Sequence, residues 1–446
     1  MIKSFLNLCL AFLTAGAFYG GQAAEGTVVR TEAIPTQQSL SGSYSTVVTS
    51  YDWGSAVSGA ILSLEDEVAH VSPEMFSVIE EKQLVDTIKN DAITRQIRPI
   101  SNVFLCDSSG TPTSTPSNYV YLQLEVSPKL GSSLCYFPDQ QHYYWADPYR
   151  LIIDLNQGQI ISGVNNTYSS LAISRDATGR SLPQARNFQT AYFTGLEHMF
   201  SFASYSPPKD NAQHPLIIWL HGLGEGGKNI DLPLLGTNVA AFTEDSFQTL
   251  MNGAYVLVPQ CPTMWLDNGF GSPTTTGQSL YTKDLMQLIR FFVSSHPGID
   301  PQRIYVGGCS NGGYMTLSLL LEDPDYFAAA FPVCEAYDNS WLSDEDIQIL
   351  KDIPIWFTHS ELDQICPPQN STFPTVERLI RAGGQNIHLS RLSAICDATG
   401  QYKNEDGSPH QYDPHFAWIP VLNNECTAPT TNLSLFQWLS QQKLNQ

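Results

Sequence analysis

The chain has 446 residues, 42% of them hydrophobic and only 15% charged, a composition that supports a sizeable buried core and argues against disorder. Acidic residues outnumber basic ones 43 to 22. The net charge of −21 argues against nucleic acid as a partner, because phosphate recognition rests on lysine and arginine. The length admits two or three domains.

The N-terminus, MIKSFLNLCLAFLTAGAFYGGQAAEG, combines a basic Lys3, an apolar run from Phe5 to Phe18, and small residues at Gly21 and Ala23. That order predicts a signal peptide over 1–23, cleaved near Ala23, and hence a secreted protein, extracellular or periplasmic. The run is too short to span a bilayer, and no other stretch of the sequence is long and apolar enough to do so. An oxidising destination makes disulfides an expectation for the eight cysteines outside this segment, with Cys106 and Cys135 as one pair. Cys309 and Cys334 are instead expected as free, buried thiols. No CxxC pair and no histidine–cysteine cluster has zinc spacing, so neither a metal nor another cofactor is expected.

Between residues 25 and 157, short alternating runs (Ala60–Leu64, Val103–Cys106, Tyr119–Val126 and Leu151–Leu155) are separated by turn-rich stretches such as Ser108–Asn118. This spacing predicts a small all-β sandwich, with no convergent acid, base or nucleophile in it. Tyr143, Tyr144 and Trp145 offer a flat platform for a polymer, although core positions account for them more simply. Residues 158–186 are polar and rich in serine, asparagine and glycine, and predict a linker.

From 187 to 446 the pattern changes. Pro215–Leu220, Ala254–Val258, Arg303–Gly308, Ala328–Val333 and Ile353–Thr358 are continuous apolar runs, as expected of strands buried on both faces of a parallel sheet. Helical patterns lie between them: Leu285, Leu288, Ile289 and Phe292 recur on one face, and Ser343 with Asp346 predicts a capping box for a helix over Asp344–Lys351. Phe373–Ala382 and Leu433–Gln442 are further helices. Strand and helix in alternation define an α/β domain with a doubly wound, mostly parallel sheet.

The chemistry concentrates at strand ends. Gly308-Cys309-Ser310-Asn311-Gly312 lies between a buried strand and the helical run Tyr314–Leu321, the context of a nucleophile elbow with Ser310 at its apex. Gly308 and Gly312 suit a turn too tight for side chains. Leu220-His221-Gly222-Leu223-Gly224-Glu225-Gly226-Gly227 follows another buried strand. In enzymes with such an elbow, the oxyanion hole takes one amide from this loop and one from the residue after the nucleophile, here Leu223 and Asn311. His221 is expected to order the loop rather than to transfer protons. The acid and base should follow in that order. Asp363 leaves the C-terminal end of the strand Ile353–Thr358 and is preferred to Glu361, and His415 is preferred to His410.

HPLIIWLHGLGEGG, IYVGGCSNGGYM, FPVCEAY, IPIWFTHSELD and PHFAWIPVLNNEC together resemble the predicted-peptidase branch of the α/β-hydrolases, close to polyhydroxybutyrate-depolymerase-like and other secreted esterases. Upstream, Tyr51-Asp52-Trp53-Gly54 and Trp145-Ala146-Asp147-Pro148-Tyr149 resemble bacterial esterases with an N-terminal immunoglobulin-like domain. The resemblance implies Ser310, Asp363 and His415 as a catalytic triad. It departs at the acid loop, which in the family commonly reads D-x-x-V-P and here carries Cys366, leaving open a covalent tie of that loop. The expected activity is carboxylic ester hydrolysis through an acyl-enzyme, on a small or polymer-attached ester. A peptidase using the same triad is the alternative, as is a polymer-directed esterase whose N-terminal domain binds the polymer.

Overall fold

Alternating side chains in the first third of the chain bury one face of each strand, and the strands close on one another accordingly. The computed structural model describes residues 38–84, 92–137, 141–164, 166–428 and 431–444. The expected signal peptide lies outside these residues. The first nine strands are β1 (Ser39–Tyr51), β2 (Gly54–Val68), β3 (Phe76–Leu84), β4 (Ala92–Ile97), β5 (Ile100–Cys106), β6 (Ser117–Leu124), β7 (Leu134–Phe137), β8 (His142–Trp145) and β9 (Tyr149–Leu155). Four short ones follow: β10 (Ile161–Ser162), β11 (Thr167–Tyr168), β12 (Ser170–Ile173) and β13 (Arg180–Ser181). One sheet runs β12-β1-β2-β6-β5 and a second β4-β3-β9, while β7 and β8 form a separate hairpin. Tyr44, Val48, Leu62, Val78, Leu122 and Ile153 fill the core of this immunoglobulin-like sandwich.

Two expectations are corrected here. Residues 158–186 are not a linker: β12 and β13 both pair with β1 in parallel, through Ser39↔Ser170 and Thr46↔Arg180 among others. Their pairing is made by backbone groups at a sheet edge, so a polar sequence suffices and leaves no apolar signal. Cys106 and Cys135 do not pair, and all eight cysteines of the described residues are free thiols. Cys106 packs with Val47 and Ile61, whereas Cys135 Sγ donates to the Gln83 carbonyl at 3.3 Å.

Among the described residues, the sandwich holds one fully buried cation. Arg98 donates from Nη1 to Glu80 Oε2 (2.6 Å) and to the Tyr149 hydroxyl (2.9 Å), and from Nη2 to the carbonyls of Val57 (2.8 Å) and Glu125 (2.9 Å). One side chain thereby joins β2, β3 and β9 to the end of β6.

The rest of the chain forms an eight-stranded sheet. Its strands are β14 (Gln189–Thr194), β15 (Met199–Tyr205), β16 (His214–Leu220), β17 (Tyr255–Gln260), β18 (Ile299–Cys309), β19 (Ala329–Val333), β20 (Ile355–Ser360) and β21 (Ile387–Leu392). They lie in the order β14-β15-β17-β16-β18-β19-β20-β21, with the β14–β15 and β15–β17 pairs antiparallel and the other pairs parallel. Helices α1 (Asp231–Leu235), α2 (Asp245–Met251), α3 (Thr282–Ser295), α4 (Asn311–Glu322), α5 (Asp344–Leu350), α6 (Thr372–Arg381), α7 (Trp418–Leu422) and α8 (Leu435–Ser440) complete the domain. The Ser343–Asp346 capping box forms as expected, with Asp346 N–H donating to Ser343 Oγ at 3.1 Å. No helix among the described residues is long and apolar enough to cross a membrane.

Sandwich and sheet belong to one compact unit. The turn between β1 and β2 is the main clasp. The Asp52 carbonyl accepts from Trp418 Nε1 (2.9 Å), and its carboxylate accepts from Asn423 (3.0 Å) and Asn238 (3.3 Å). Trp53 stacks on Tyr51 and packs against Tyr402 and Tyr412.

Removing one member of a buried ion pair strands the other. Arg98→Ala should therefore destabilise the sandwich by about 3–5 kcal/mol, read as a lower urea midpoint. A midpoint equal to that of the unchanged protein would show that the pair contributes nothing.

Candidate active site

The strand β18 is buried to its last residue, and α4 begins immediately after it, so the chain must reverse at Ser310 alone. Ser310 takes φ 56° and ψ −113°, a conformation that costs a non-glycine residue about 1–3 kcal/mol. It is clamped on both sides: its N–H donates to the Val333 carbonyl (2.8 Å), and its carbonyl accepts from Tyr314 (3.0 Å) and Ala336 (3.2 Å). A Cβ on Gly312 would stand 1.9 Å from the Leu220 carbonyl oxygen of β16, and one on Gly308 would stand 2.5 Å from it. Both positions must be glycine.

Asp363 and His415 meet. His415 Nδ1 lies 2.7 Å from Asp363 Oδ2, and Asp363 Oδ1 accepts the backbone N–H groups of Ile365 (2.8 Å) and Cys366 (3.0 Å). Burial alone would raise the Asp363 carboxyl, but hydrogen bonds from His359 and His415 outweigh it and hold the group well below the usual carboxylate range. An ionised Asp363 makes Nδ1 the protonated nitrogen of His415 and leaves Nε2 to accept a proton. Asp413 orients the base loop by accepting the His415 N–H at 2.8 Å. The rivals stand elsewhere: Glu361 pairs with Arg391, and the His410 ring packs on Tyr412.

Cys366 joins the serine to this pair. Its Sγ is 3.8 Å from Ser310 Oγ while its N–H holds Asp363. Ser310 and His415 share no hydrogen bond among the described residues. Cys366 is a free, partly exposed thiol, so no covalent tie holds the acid loop. Cys309 and Cys334 are free and buried, as expected.

Leu223 and Asn311 each open a helical turn, a 3-10 turn over Leu223–Glu225 and α4 respectively. Amides in such first turns have no intrahelical acceptor and stay available to an oxyanion. The Asn311 side chain is anchored by Trp265 N–H on its Oδ1 (2.7 Å). His221 is fully buried, with Nδ1 donating to the Gly222 carbonyl (2.7 Å) and Nε2 accepting from Cys261 N–H (2.9 Å). Burial lowers it to about 4, so it is a neutral loop-ordering residue. Glu225 Oε2 accepts from Gly222 N–H at 2.8 Å and is pushed up to about 8 by burial.

The β7–β8 hairpin of the sandwich reaches this loop. A Cβ on Gly224 would meet Tyr143 at 2.3 Å, so that ring lies directly on the loop of Leu223. Arg180 covers the Trp145 ring at 4.3 Å, and Tyr144 is 41% exposed. The three aromatics face different neighbours and do not form one platform.

Sequence reasoning missed His359, Thr372 and Glu335, which lie behind Asp363. A histidine inside the apolar run IPIWFTHS, four residues before the acid, was the available signal.

The fold is that of an α/β-hydrolase preceded by an immunoglobulin-like N-terminal domain, and the proteins it resembles include esterases. Residues 43–166 match the esterase Ig-like N-terminal domain, and residues 275–353 match the prolyl oligopeptidase family. A solved thermostable esterase superposes with a TM-score of 0.66 at 25% identity, covering 90% of this chain and 99% of that one. A poly(3-hydroxybutyrate) depolymerase of Ralstonia pickettii is 33% identical over 142 residues, which are 30% of this chain and 28% of that enzyme. The chain thus spans less than a third of the length of that relative.

The raised Glu225 gives stability a pH dependence of known sign. Between its ordinary value of 4.5 and about 8, the folded protein keeps a proton that the unfolded chain releases. This contribution is full below 4.5 and is lost as pH rises through 8, by up to about 1.4 kcal/mol per pH unit. Glu225→Gln should therefore lose less stability than the unchanged protein between pH 5 and pH 8, measured as urea midpoints. Parallel losses would rule this out.

Proposed function

We propose that the protein is a secreted serine carboxylesterase acting on small or polymer-attached carboxylic esters, with Ser310, Asp363 and His415 as its triad. The observation that carries this reading is the 2.7 Å pairing of His415 with the buried Asp363, in a loop whose Cys366 lies beside the strained Ser310. His415 Nε2 takes the Ser310 proton as Oγ attacks the ester carbonyl, and Asp363 holds the imidazole in the required tautomer. The amides of Leu223 and Asn311 stabilise the tetrahedral oxyanion, about 3–4 kcal/mol for each donor. The alcohol leaves with a proton from His415, and water activated by the same base releases the acid. Similarity to a thermostable esterase over almost its whole length supports ester rather than amide hydrolysis.

Ser310→Ala should abolish hydrolysis of p-nitrophenyl acetate without altering the fold, leaving at most roughly 10³-fold over water from the oxyanion hole. Full turnover in that variant would end the triad reading. Asp363→Asn should lower kcat about 10⁴-fold and Glu361→Gln hardly at all; the opposite ranking would move the acid. The prolyl oligopeptidase match spans Ser310, so an aminoacyl p-nitroanilide belongs in the same assay. Faster cleavage of the anilide than of the ester would make the enzyme a peptidase.

A further inference from the structure

Behind Asp363 runs a buried chain of hydrogen bonds that acyl transfer leaves unused. His359, at the end of β20, has no exposed surface. Its Nε2 lies 2.9 Å from the Cys366 carbonyl and 3.2 Å from Asp363 Oδ2, and its Nδ1 lies 2.8 Å from Thr372 Oγ1. Thr372 opens α6, and its hydroxyl is 2.8 Å from Glu335 Oε1. Glu335 Oε2 accepts the Tyr337 N–H at 2.6 Å.

The protons in this chain can be counted. A carbonyl and an ionised carboxylate only accept, so His359 Nε2 carries a proton. Thr372 has one hydroxyl proton and two polar neighbours. Both of its contacts are hydrogen bonds in two arrangements. In the first, Glu335 is ionised, Thr372 donates to it, and a doubly protonated His359 donates from Nδ1 to the threonine oxygen. In the second, Glu335 is protonated and donates to Thr372, which donates to Nδ1 of a neutral His359. The two hold the same number of protons and differ by transfer through the hydroxyl. Both keep the proton on Nε2.

We propose that His359 is a positioning residue for the catalytic acid: Glu335 and Thr372 lock a proton on its Nε2, and that N–H holds Asp363 Oδ2 where it meets His415 Nδ1. The inference rests on the triad reading above. Asp363 Oδ1 is fixed by two backbone amides, so Oδ2 depends on His359 for an anchor besides the base it must serve. A neutral His359 with its proton on Nδ1 would instead turn a lone pair toward two acceptor oxygens. Burial pushes Glu335 up to about 7, against the opposing effect of His359, which suits it to hold the proton near neutrality. The ionisable groups around the chain include Cys334, Glu335 and Asp338 after β19, Asp363 and Cys366 in the acid loop, His415 in the base loop, and Arg391 on β21, the register neighbour of His359, whose guanidinium covers the Phe373 ring. From α6 come only the Thr372 hydroxyl and the Phe373 ring.

The test is steady-state kinetics on p-nitrophenyl acetate for H359N, H359Q, T372V and T372S, with melting curves to establish folding. Asparagine cannot reach Asp363, whereas the glutamine amide nitrogen can take the place of Nε2. H359N should lower kcat about 10²-fold, the cost of a misplaced catalytic group, with KM changed by less than about threefold. H359Q should recover most of that loss, and T372S most of what T372V loses. The downfield NMR resonance of the His415 Nδ1 proton should broaden in H359N and persist in H359Q. Unchanged kcat in H359N, or losses in H359Q and T372S as deep as in their partners, would overturn the proposal. Should H359N fail to fold, the two threonine variants decide by the same criterion. S310A separates the two readings: an active S310A refutes the triad, whereas an inactive S310A beside a fully active H359N refutes only the role of His359.

Discussion

The close approach of α4 to β16 is the constraint on which the site depends. Because Gly308 and Gly312 have no side chain, the Leu220 carbonyl can sit against the start of the helix, and this forces the single-residue reversal at Ser310. The strain at that residue persists because three backbone hydrogen bonds, to Val333, Tyr314 and Ala336, over-determine its position. The same contact brings the loop after β16, with Leu223, beside the first turn of α4, with Asn311. A serine hydroxyl and two helix-start amides therefore come from one packing event.

The candidate acid and base arrive by a different route. Asp363 is placed by a short loop at the end of β20, held by its own amides at Ile365 and Cys366. His415 comes from an irregular segment whose anchor is Asp413 and whose neighbour Trp418 is bonded to the sandwich. The immunoglobulin-like domain thus takes part in the site's architecture twice, through Asp52 under the base loop and through Tyr143 on the loop of Leu223.

Legibility in the sequence follows unbroken apolar runs. The runs at β16, β17, β18, β19 and β20 could be read directly, because strands covered on both faces need apolar residues at every position. The edge strands β14 and β21 were not read, and neither was β15, which is buried but whose run is interrupted by Ser201 and Ser204. β14 is exposed along nearly its whole length, and β21 is only partly covered, so neither carries a continuous apolar run. The same physics turned β12 and β13 into an expected linker. Ser310, Asp363 and His415 were legible because elbow, strand end and chain order constrain them jointly. Their union in space was not, since the choice between Asp363 and Glu361 rests on whether a side chain turns inward or pairs with Arg391. The expected Cys106–Cys135 pair failed because an even cysteine count says nothing about distance.

The Asp52 clasp has a consequence for how the molecule comes into being. Its bond to Trp418 joins residues 366 positions apart, and its bond to Asn423 joins residues 371 apart. A ribosome releases the β1–β2 turn long before the segment it must hold, so the sandwich emerges with Trp53 and the Asp52 carboxylate uncovered. Contacts of such separation form late and slowly. Severed halves would each display a raw aromatic surface, which makes the two domains poor candidates for separate lives.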